Sequence, residues 1–158
     1  MATAHLIYGY IGAGKTTYAE SLAERLGAVR FSTDEWIARL YGDDETQFAD
    51  LGPLIRRVER VMEPLWCRCL VLGVDVVLDM GFWARSKRDD VRGLATRSGA
   101  ESRLHYVRCR DREVAWARVE RRNQDPRGSI RMSRNTFDVL EAKVEPPGED
   151  EEHLLVET

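Results

Sequence analysis

The sequence predicts an α/β fold made of one domain, residues 1–158, in which helices cover both faces of a mostly parallel sheet. Three observations lead to this prediction. Short apolar segments alternate along the chain with longer segments of helical periodicity, which is the order of successive βαβ units. A length of 158 residues suits a single buried core of ordinary size. The sequence also contains no internal repeat, linker or low-complexity tract that would separate a second domain.

The strands and helices follow from their local patterns, taken in chain order. Strands are predicted in the short, mostly apolar runs AHLIYGY, AVRFS, VDVVLDM, SRLHYVRC and HLLVE. The first helix is predicted over residues 15–26, where Leu22 and Leu26 stand at helical spacing. The second is predicted in TDEWIARLYG, with Thr33 as its N-cap. Further helices are predicted in LGPLIRRVERVMEPLWCRCLVLG, bent at Pro64, and in RSKRDDVRGLATRSG, REVAWARVERR and SRNTFDVLEAKV.

Composition and charge indicate a globular protein in a reducing compartment. Hydrophobic residues make up 43% of the chain and charged residues 32%. No apolar run approaches the roughly 18 residues of a membrane span and no signal-peptide pattern is visible, so we expect a cytoplasmic protein without a membrane partner. The three cysteines lack metal-ligand spacing and are expected to be free thiols. The net charge of -3 makes nucleic acid an unexpected partner.

The segment YGYIGAGKTTY places three glycines and a lysine between the first strand and the first helix. Its residues fit the pattern G-x-x-x-x-G-K-[ST] of a phosphate-binding loop, and the strand–loop–helix context supports this match over an ordinary glycine-rich turn. In such a loop backbone N–H groups surround phosphate oxygens, the lysine neutralises the β- and γ-phosphates, and the threonine hydroxyl binds Mg²⁺. The predicted nucleotide-binding residues of the loop are Gly9, Gly12, Ala13, Gly14, Lys15, Thr16 and Thr17.

Two aspartates follow strands and therefore belong at the carboxyl edge of the predicted sheet, where open α/β sheets bind ligands. Asp34 comes after the second strand and could accept the proton of an attacking hydroxyl. The alternative is that Asp34 only supports the start of the helix, although Thr33 already suffices as a cap. Asp79 ends the third strand, where an acid could hold Mg²⁺ or help to bind an acceptor.

Aromatic and basic side chains next to these aspartates are the predicted contacts of an acceptor molecule. Phe82, Trp83 and Arg85 come just beyond the third strand, and Trp36 follows Asp34. Large rings at the edge of a loop suit apolar or stacking contacts with a ligand. Phe82 and Trp83 could equally be plain core residues.

An arginine-rich segment, residues 118–134, is predicted to form a mobile lid over the nucleotide. Arg118 and Arg122 are about one turn apart on a helix, and Arg127 and Arg131 follow in a loop. Guanidinium groups in a lid close on the transferring phosphate as its charge spreads in the transition state. Arg122 and Arg127 are therefore predicted to be catalytic, and Arg118 and Arg122 to contact the nucleotide. The alternative is a solvated arginine face.

Five segments stand in an order typical of one group of enzymes: GYIGAGKTT, STDEW, LDMGFW, the arginine-rich helix and EPPGEDE. Through them the chain resembles the small P-loop kinases of the zeta-toxin and chloramphenicol-phosphotransferase type, which are related to polynucleotide kinases. The resemblance spans almost the whole chain. It implies a three-layer α/β/α P-loop NTPase fold of the nucleoside-kinase-like kind with an arginine lid, and a five-stranded parallel sheet of order 2-3-1-4-5. It also implies ATP and Mg²⁺ as cosubstrates and Asp34 as the carboxylate that activates the acceptor.

Two details of this resemblance concern the ligands. Polynucleotide kinases of this group often carry an arginine three residues after the aspartate that matches Asp34, whereas this chain has Ile37 there. The difference disfavours a nucleic-acid acceptor. The resemblance also implies that the loop around Pro146 and Pro147 borders the adenine, with Arg118 or Arg122 against the other face of the base.

These observations lead to the hypothesis of an ATP-dependent phosphotransferase whose acceptor is a hydroxyl of a small molecule or nucleotide-type metabolite. Two alternatives stay open. One is a nucleotide-binding switch that hydrolyses ATP slowly, and the other is a zeta-toxin-like kinase of nucleotide sugars. Against the switch, the sequence has no guanine-reading N-K-x-D motif and no appended domain.

Overall fold

The computed structural model describes residues 1–41, 51–124 and 132–158. Strands and helices alternate as the sequence predicts, and the helix predicted to begin at Lys15 and end at Leu26 has these bounds. The third helix runs past Pro64, which lies inside it. No helix in these three segments is both long enough and apolar enough to cross a membrane. The elements in chain order are β1 Thr3–Tyr8, α1 Lys15–Leu26, β2 Val29–Ser32, α2 Thr33–Tyr41, α3 Leu51–Val71, β3 Val76–Asp79, α4 Arg85–Arg97, β4 Glu101–Arg108, α5 Arg112–Gln124, α6 Arg134–Glu141 and β5 His153–Glu157.

All five strands are parallel and form one sheet of order β2-β3-β1-β4-β5, which confirms the predicted order. Parallel strands in the middle of a sheet are covered on both faces, so they need apolar residues on both. β1 and β3 meet this requirement, since every residue of each strand is buried. The register places Leu6 beside Leu78 and Ser32 beside Asp79. The carboxyl ends of β1, β2 and β3 therefore lie side by side.

Helices pack on both faces of the sheet and give the predicted three layers. On one face, Trp66 of α3 and Val91 of α4 share a buried cluster with Leu6. On the other face, Leu22 of α1 shares a cluster with Val77. A third, smaller cluster joins α5 and α6 to the loop after β1. This packing places α1 on one face of the sheet and α5 beside the loop that follows the carboxyl end of β1.

The start of α2 differs from the prediction. Thr33 is not the N-cap: it is the first residue of the helix, it is buried, and its hydroxyl has no hydrogen-bond partner among the described residues. The hydroxyl of Ser32 instead accepts a weak hydrogen bond from the N–H of Glu35 at 3.4 Å. Ser32 is the last residue of β2, so the helix follows the strand without an intervening loop. Asp34 consequently lies in the first turn of α2, next to the carboxyl edge.

Candidate active site

The loop between β1 and α1 has the backbone that a phosphate-binding loop requires. Gly12 and Gly14 have φ values of 76° and 88°, in the left-handed region that favours glycine. Gly9 has no room for a side chain, because a Cβ atom there would lie 2.2 Å from a carbonyl oxygen of β4. No side chain caps the start of α1 at Lys15, so its first N–H groups can bind an anion. The two threonines that follow Lys15 are exposed at this site.

Lys15 brings the phosphate loop together with three other predicted residues. Its ammonium group donates a hydrogen bond to the carbonyl oxygen of Tyr10 at 2.8 Å. Burial lowers the pKa of Lys15 to about 8, while the nearby carboxylates of Asp79 and Asp34 oppose this shift. The positive charge of Arg122 acts in the same direction as burial. Both predicted aspartates and one predicted lid arginine therefore lie within electrostatic range of the lysine.

Asp79 and Thr16 supply oxygen ligands of the kind that magnesium prefers. The Asp79 carboxyl is buried at the end of β3, and the nearby Thr16 hydroxyl helps to lower its pKa. Burial raises the pKa of Asp79, and the charge of Lys15 is the largest opposing influence. In the described part of the chain, no group of three or more His, Cys, Asp or Glu side chains could hold a metal ion. The two residues fit a Mg²⁺ ion whose other ligands are phosphate oxygens and water.

Arg30 belongs to this site and was not identified from the sequence. It lies on β2, and its Nη1 atom donates a hydrogen bond to Oδ2 of Asp79 at 3.1 Å. Its Nη2 atom forms an ion pair with Glu35 and a longer one with Glu20 of α1, at 3.4 Å. An arginine inside a short strand that leads to the carboxyl edge is the sequence signal that could have revealed this role. Arg30 holds the carboxylate of Asp79 at the edge of the sheet.

Asp34 and Arg122 are the described site residues whose charged groups are incompletely paired at the carboxyl edge of the sheet. Asp34 is exposed and makes no hydrogen bond or ion pair with another described residue. Arg122 of α5 is partly buried, and burial lowers its pKa while the charge of Asp34 opposes the shift. The Nε–H group of Arg122 is buried and has no partner in the described segments. An exposed carboxylate thus lies near a guanidinium group that is incompletely paired.

Arg118 lies beside the phosphate loop, as predicted for a nucleotide contact. Its Nη1 atom donates hydrogen bonds to the carbonyl oxygen of Gly12 at 3.3 Å and to the hydroxyl of Thr158 at 2.8 Å. The Thr158 hydroxyl in turn donates to the carbonyl oxygen of Ala13 at 2.9 Å. Thr158 follows the last strand, and no local motif in the sequence predicts its place at the loop.

The predicted acceptor residues differ in exposure. Phe82 is a core residue with 1% of its surface exposed, and Trp36 and Trp83 pack partly against the same core. Arg85 is exposed, and its guanidinium group donates two hydrogen bonds to Asp150, at 2.8 and 2.6 Å. Trp83 is half-buried, and its indole Nε1 has no partner among the described residues. The contact of these residues with an acceptor stays a prediction.

Two predictions about nucleotide contacts, the lid and the loop around Pro146 and Pro147, are not tested by this geometry. The predicted lid lies partly outside the described residues, which include neither Arg127 nor Arg131. The loop around Pro146 and Pro147 meets the segment before α4, where the Glu145 N–H donates to the carbonyl oxygen of Trp83 at 2.8 Å. That this loop borders the adenine stays a prediction.

Known proteins share this arrangement of strand, phosphate loop and helix. A protein family described as AAA domain matches residues 5–147, which is most of the chain. The chain belongs to this family. No curated protein matches the sequence of this AAA domain protein.

Solved structures share its fold at low sequence identity. A proposed kinase from Chloroflexus aurantiacus j-10-fl is 16% identical with a TM-score of 0.78, covering 99% of this chain and 88% of that chain. A sugar kinase from Janibacter sp. HTCC2649 is 18% identical with a TM-score of 0.70, covering 99% of this chain and 86% of that chain. A chain of the Pnkp1/Rnl/Hen1 RNA repair complex is 17% identical with a TM-score of 0.71, covering 90% of this chain and 43% of that chain.

These similarities show a P-loop kinase-like fold. The similarities do not identify an acceptor, because a sugar kinase and a chain of an RNA repair complex are about equally similar to this chain. The resemblance to zeta toxins and chloramphenicol phosphotransferases stays a prediction.

Proposed function

We propose that this AAA domain protein is an ATP-dependent phosphotransferase that moves the γ-phosphate of Mg-ATP to a hydroxyl group of a small molecule. The observation that carries the proposal is a pair of carboxylates with opposite exposure at one edge of the sheet. Asp79 is buried within reach of Thr16, whereas Asp34 is exposed and within electrostatic range of Lys15 and Arg122. A buried carboxylate beside a hydroxyl suits a metal ion, and an exposed one near phosphate-binding cations suits an acceptor.

The nucleotide phosphates would lie in the phosphate loop. N–H groups at the start of α1 and the ammonium group of Lys15 bind the β- and γ-phosphate oxygens. Thr16 and Asp79 would hold Mg²⁺, which when bound neutralises charge on the phosphate oxygens. Arg30 keeps the Asp79 carboxylate in place through its hydrogen bond at 3.1 Å.

The transfer step needs a residue that receives the acceptor proton. The carboxylate of Asp34 accepts this proton while the hydroxyl oxygen of the acceptor forms a bond to the γ-phosphorus. The bond between that phosphorus and the oxygen bridging to the β-phosphate breaks, and ADP leaves. Lys15 and Arg122 stabilise the negative charge on the transferring phosphoryl group and the leaving oxygen.

The substitution Asp34→Asn tests the proposal. Asparagine keeps the size of the side chain but cannot take a proton at neutral pH, so we expect kcat to fall by about 10²–10⁴-fold. ATP affinity and melting temperature should barely change, because Asp34 is exposed and asparagine supports a helix start about as well as aspartate. The measurements are product formation with a phosphorylated acceptor, ATP binding by calorimetry, and thermal unfolding.

The matched control is Asp90→Asn, which makes the same chemical change at an exposed position of α4. The control should keep normal turnover. Near-normal turnover of Asp34→Asn, or a loss fully explained by lower stability, would remove Asp34 from the mechanism.

A further inference from the structure

Buried polar side-chain atoms without a partner gather near the carboxyl edge of the sheet. Buried polar groups are nearly always hydrogen-bonded, so each exception needs a physical cause. Within residues 1–41, 51–124 and 132–158, the unpartnered atoms are Tyr8 OH, Thr33 Oγ1, Trp83 Nε1 and Arg122 Nε. The Tyr8 hydroxyl has the phenol of Tyr10 as a polar neighbour, so we rest the inference on the other three.

Thr33 and Trp83 follow two neighbouring strands of the sheet. The register of β2 and β3, continued by one residue, puts Thr33, the first residue of α2, in a row with Met80. Phe31 of β2 belongs to the core cluster between the sheet and α3, and both Met80 and Trp83 pack against this cluster. The chain segments that carry the two unpartnered groups therefore border the same core cluster.

Arg122 joins this group from α5. Trp83 also packs against the cluster under α5 that contains Val119, and Arg122 follows Val119 by about one helical turn. The charge of Arg122 is felt by Asp34, which comes directly after Thr33 in the sequence. Arg122 thus lies within electrostatic range of the carboxylate that the proposed mechanism uses, and Thr33 precedes that carboxylate in the chain.

The backbone before Trp83 is an independent sign of a binding site. Gly81 and Phe82 have φ values of 83° and 50°, and Phe82 is the only non-glycine residue with positive φ in the described segments. Such a conformation is strained for a large side chain and tends to be kept where a site needs it. The strained pair turns the chain sharply after β3 and sets the position of the Trp83 indole. A Cβ atom on Gly81 would lie 3.6 Å from Nε1 of Trp83.

We propose that Thr33, Trp83 and Arg122 bind the oxygen atoms of a polyhydroxylated acceptor, a sugar or a polyol, beside the hydroxyl that Asp34 activates. This inference rests on the proposed function. Indole and guanidinium N–H groups only donate hydrogen bonds, and a hydroxyl can donate or accept, so the three groups call for a ligand with several oxygens. An aromatic or simple alcohol would leave them unpaired, and sites built for hydrogen bonding discriminate strongly against such ligands. Small side-chain rotations, common on binding, would admit the acceptor to these buried atoms.

The acceptor preference of the unmodified protein is the first test. ATP consumption and phosphorylated products are measured by mass spectrometry with three sets of probes. These are pooled monosaccharides, sugar acids and alditols; 1-propanol and benzyl alcohol; and an oligonucleotide with a 5′-hydroxyl. We expect transfer to the polyhydroxylated pool at least about tenfold faster than to either simple alcohol at equal concentration.

The outcomes separate this inference from the function on which it rests. Transfer to the simple alcohols or the oligonucleotide, with none to the polyhydroxylated pool, overturns the inference and leaves a phosphotransferase. ATP hydrolysis without a phosphorylated product from any probe overturns the proposed function as well.

The substitution Thr33→Val tests the site itself, because valine keeps the shape and removes only the hydroxyl. We expect the KM of the preferred polyhydroxylated acceptor to rise about three- to tenfold, the effect of one lost hydrogen bond, with the KM for ATP unchanged. The melting temperature should stay or rise, since the hydroxyl has no partner in the free protein. A purely structural threonine would show lower stability and an unchanged acceptor KM, which would overturn the inference.

Two further variants provide a control and a second test. Thr96→Val removes the hydroxyl of an exposed threonine on α4 and should leave the acceptor KM unchanged. Trp83→Phe removes the indole N–H and should raise the acceptor KM as Thr33→Val does. Normal acceptor KM values in both Thr33→Val and Trp83→Phe would contradict the proposed site.

Discussion

Two clusters of buried cations differ in whether the protein supplies their partners. Arg88 of α4 is fully buried, and its Nε and Nη2 atoms donate to the carboxylate of Glu151 at 2.9 and 2.6 Å. Its Nη1 atom donates to the carbonyl oxygens of Phe82 and Glu145, at 3.0 and 3.1 Å. The hydrogen bonds to Glu151 raise the pKa of Arg88, and they lower the pKa of Glu151 to about 2. This cluster is complete within the fold.

The pKa values of Lys15 and Arg122 are shifted in the opposite direction from that of Arg88. The pKa of each is lowered, and burial is the largest cause for both. The Nε–H of Arg122 lacks a partner in the described residues, and the nearby carboxylate of Asp34 is exposed. A cation with a lowered pKa is surrounded by too little negative charge to compensate for its burial. A nucleotide phosphate would supply that charge.

The difference teaches that burial alone does not separate a structural arginine from a functional one in this arginine-rich chain. Arg88 stands close in sequence to the predicted acceptor residues, yet three of its four hydrogen bonds hold the segment with Glu145 and Glu151 against α4. Arg122 is less buried and has fewer partners. Incomplete pairing is the property that points to a ligand.

The largest effect that this comparison predicts is on turnover. The substitution Arg122→Met should lower kcat by about 10³–10⁵-fold, the range for an arginine that stabilises the transition-state charge in phosphoryl transfer. The melting temperature should stay or rise, because the variant removes a buried donor that has no partner in the described residues. Single-turnover phosphoryl transfer and thermal unfolding are the measurements.

Arg121→Met is the matched control for Arg122→Met, since Arg121 is exposed on the same helix. It should keep nearly normal turnover. If Arg122→Met instead lowers the melting temperature strongly and keeps its turnover, Arg122 resembles Arg88 and the comparison fails.

The second prediction concerns the complete cluster. Arg88→Met leaves the buried carboxylate of Glu151 with only Arg92 as an ion-pair partner, and breaking a buried pair in this way costs about 3–5 kcal/mol of folding free energy. Urea unfolding measures the loss. ATP affinity of the folded variant should be unchanged, because Arg88 makes no contact with the phosphate loop.

The double variant Arg88→Met with Glu151→Leu sharpens this result. Replacing both charges by apolar side chains removes the unpaired carboxylate, so part of the lost stability should return. A loss below about 1 kcal/mol for Arg88→Met alone would contradict the view that this cluster holds the fold together.

Local patterns predicted most of the fold and the core of the site. The phosphate loop, the helix that begins at Lys15 and the places of Asp34 and Asp79 after strands all depend on residues near one another in the sequence. The sheet order came from the family resemblance, and the structure confirms it. The phosphate loop, the first helix and the places of the two aspartates can be predicted without knowledge of long-range contacts.

The features that the sequence did not predict depend on which elements become neighbours. Arg30 reaches Asp79 across two paired strands, and Thr158 reaches the phosphate loop from the end of β5. Thr33 matches the N-cap pattern, but the strand leads directly into the helix and leaves the residue buried. Arg85 is paired with Asp150, which lies far along the chain. Pairing between distant residues decides each case.

The smallest predicted effect concerns the charge of Lys15. Its pKa of about 8 lies below the ordinary value of 10.5, so in the free protein the ammonium group loses its proton as the pH rises through 8. The neutral amine binds phosphate poorly. ATP affinity should therefore fall about tenfold between pH 7 and pH 9, because only the protonated fraction is competent to bind. The stability of the free protein changes in the opposite sense: the unfolded chain binds this proton more tightly, so the contribution of Lys15 to stability rises between pH 8 and about 10.5.

Calorimetry of ATP binding at pH 8.5, in two buffers with different ionisation enthalpies, measures the proton taken up when the phosphate restores the charge of Lys15. Lys15→Arg is the control, since a guanidinium group stays charged and its ATP affinity should not vary with pH over this range. The comparison of the two clusters adds a second control. Arg122→Met removes a like charge that lowers the pKa of Lys15, so the midpoint of the affinity loss should move to higher pH, whereas Arg88→Met should not move it. An ATP affinity that does not change between pH 7 and pH 9, with no proton uptake, would show that Lys15 is fully charged before the nucleotide binds. The cluster of Lys15 and Arg122 would then resemble the Arg88 cluster, because its charges would already be paired.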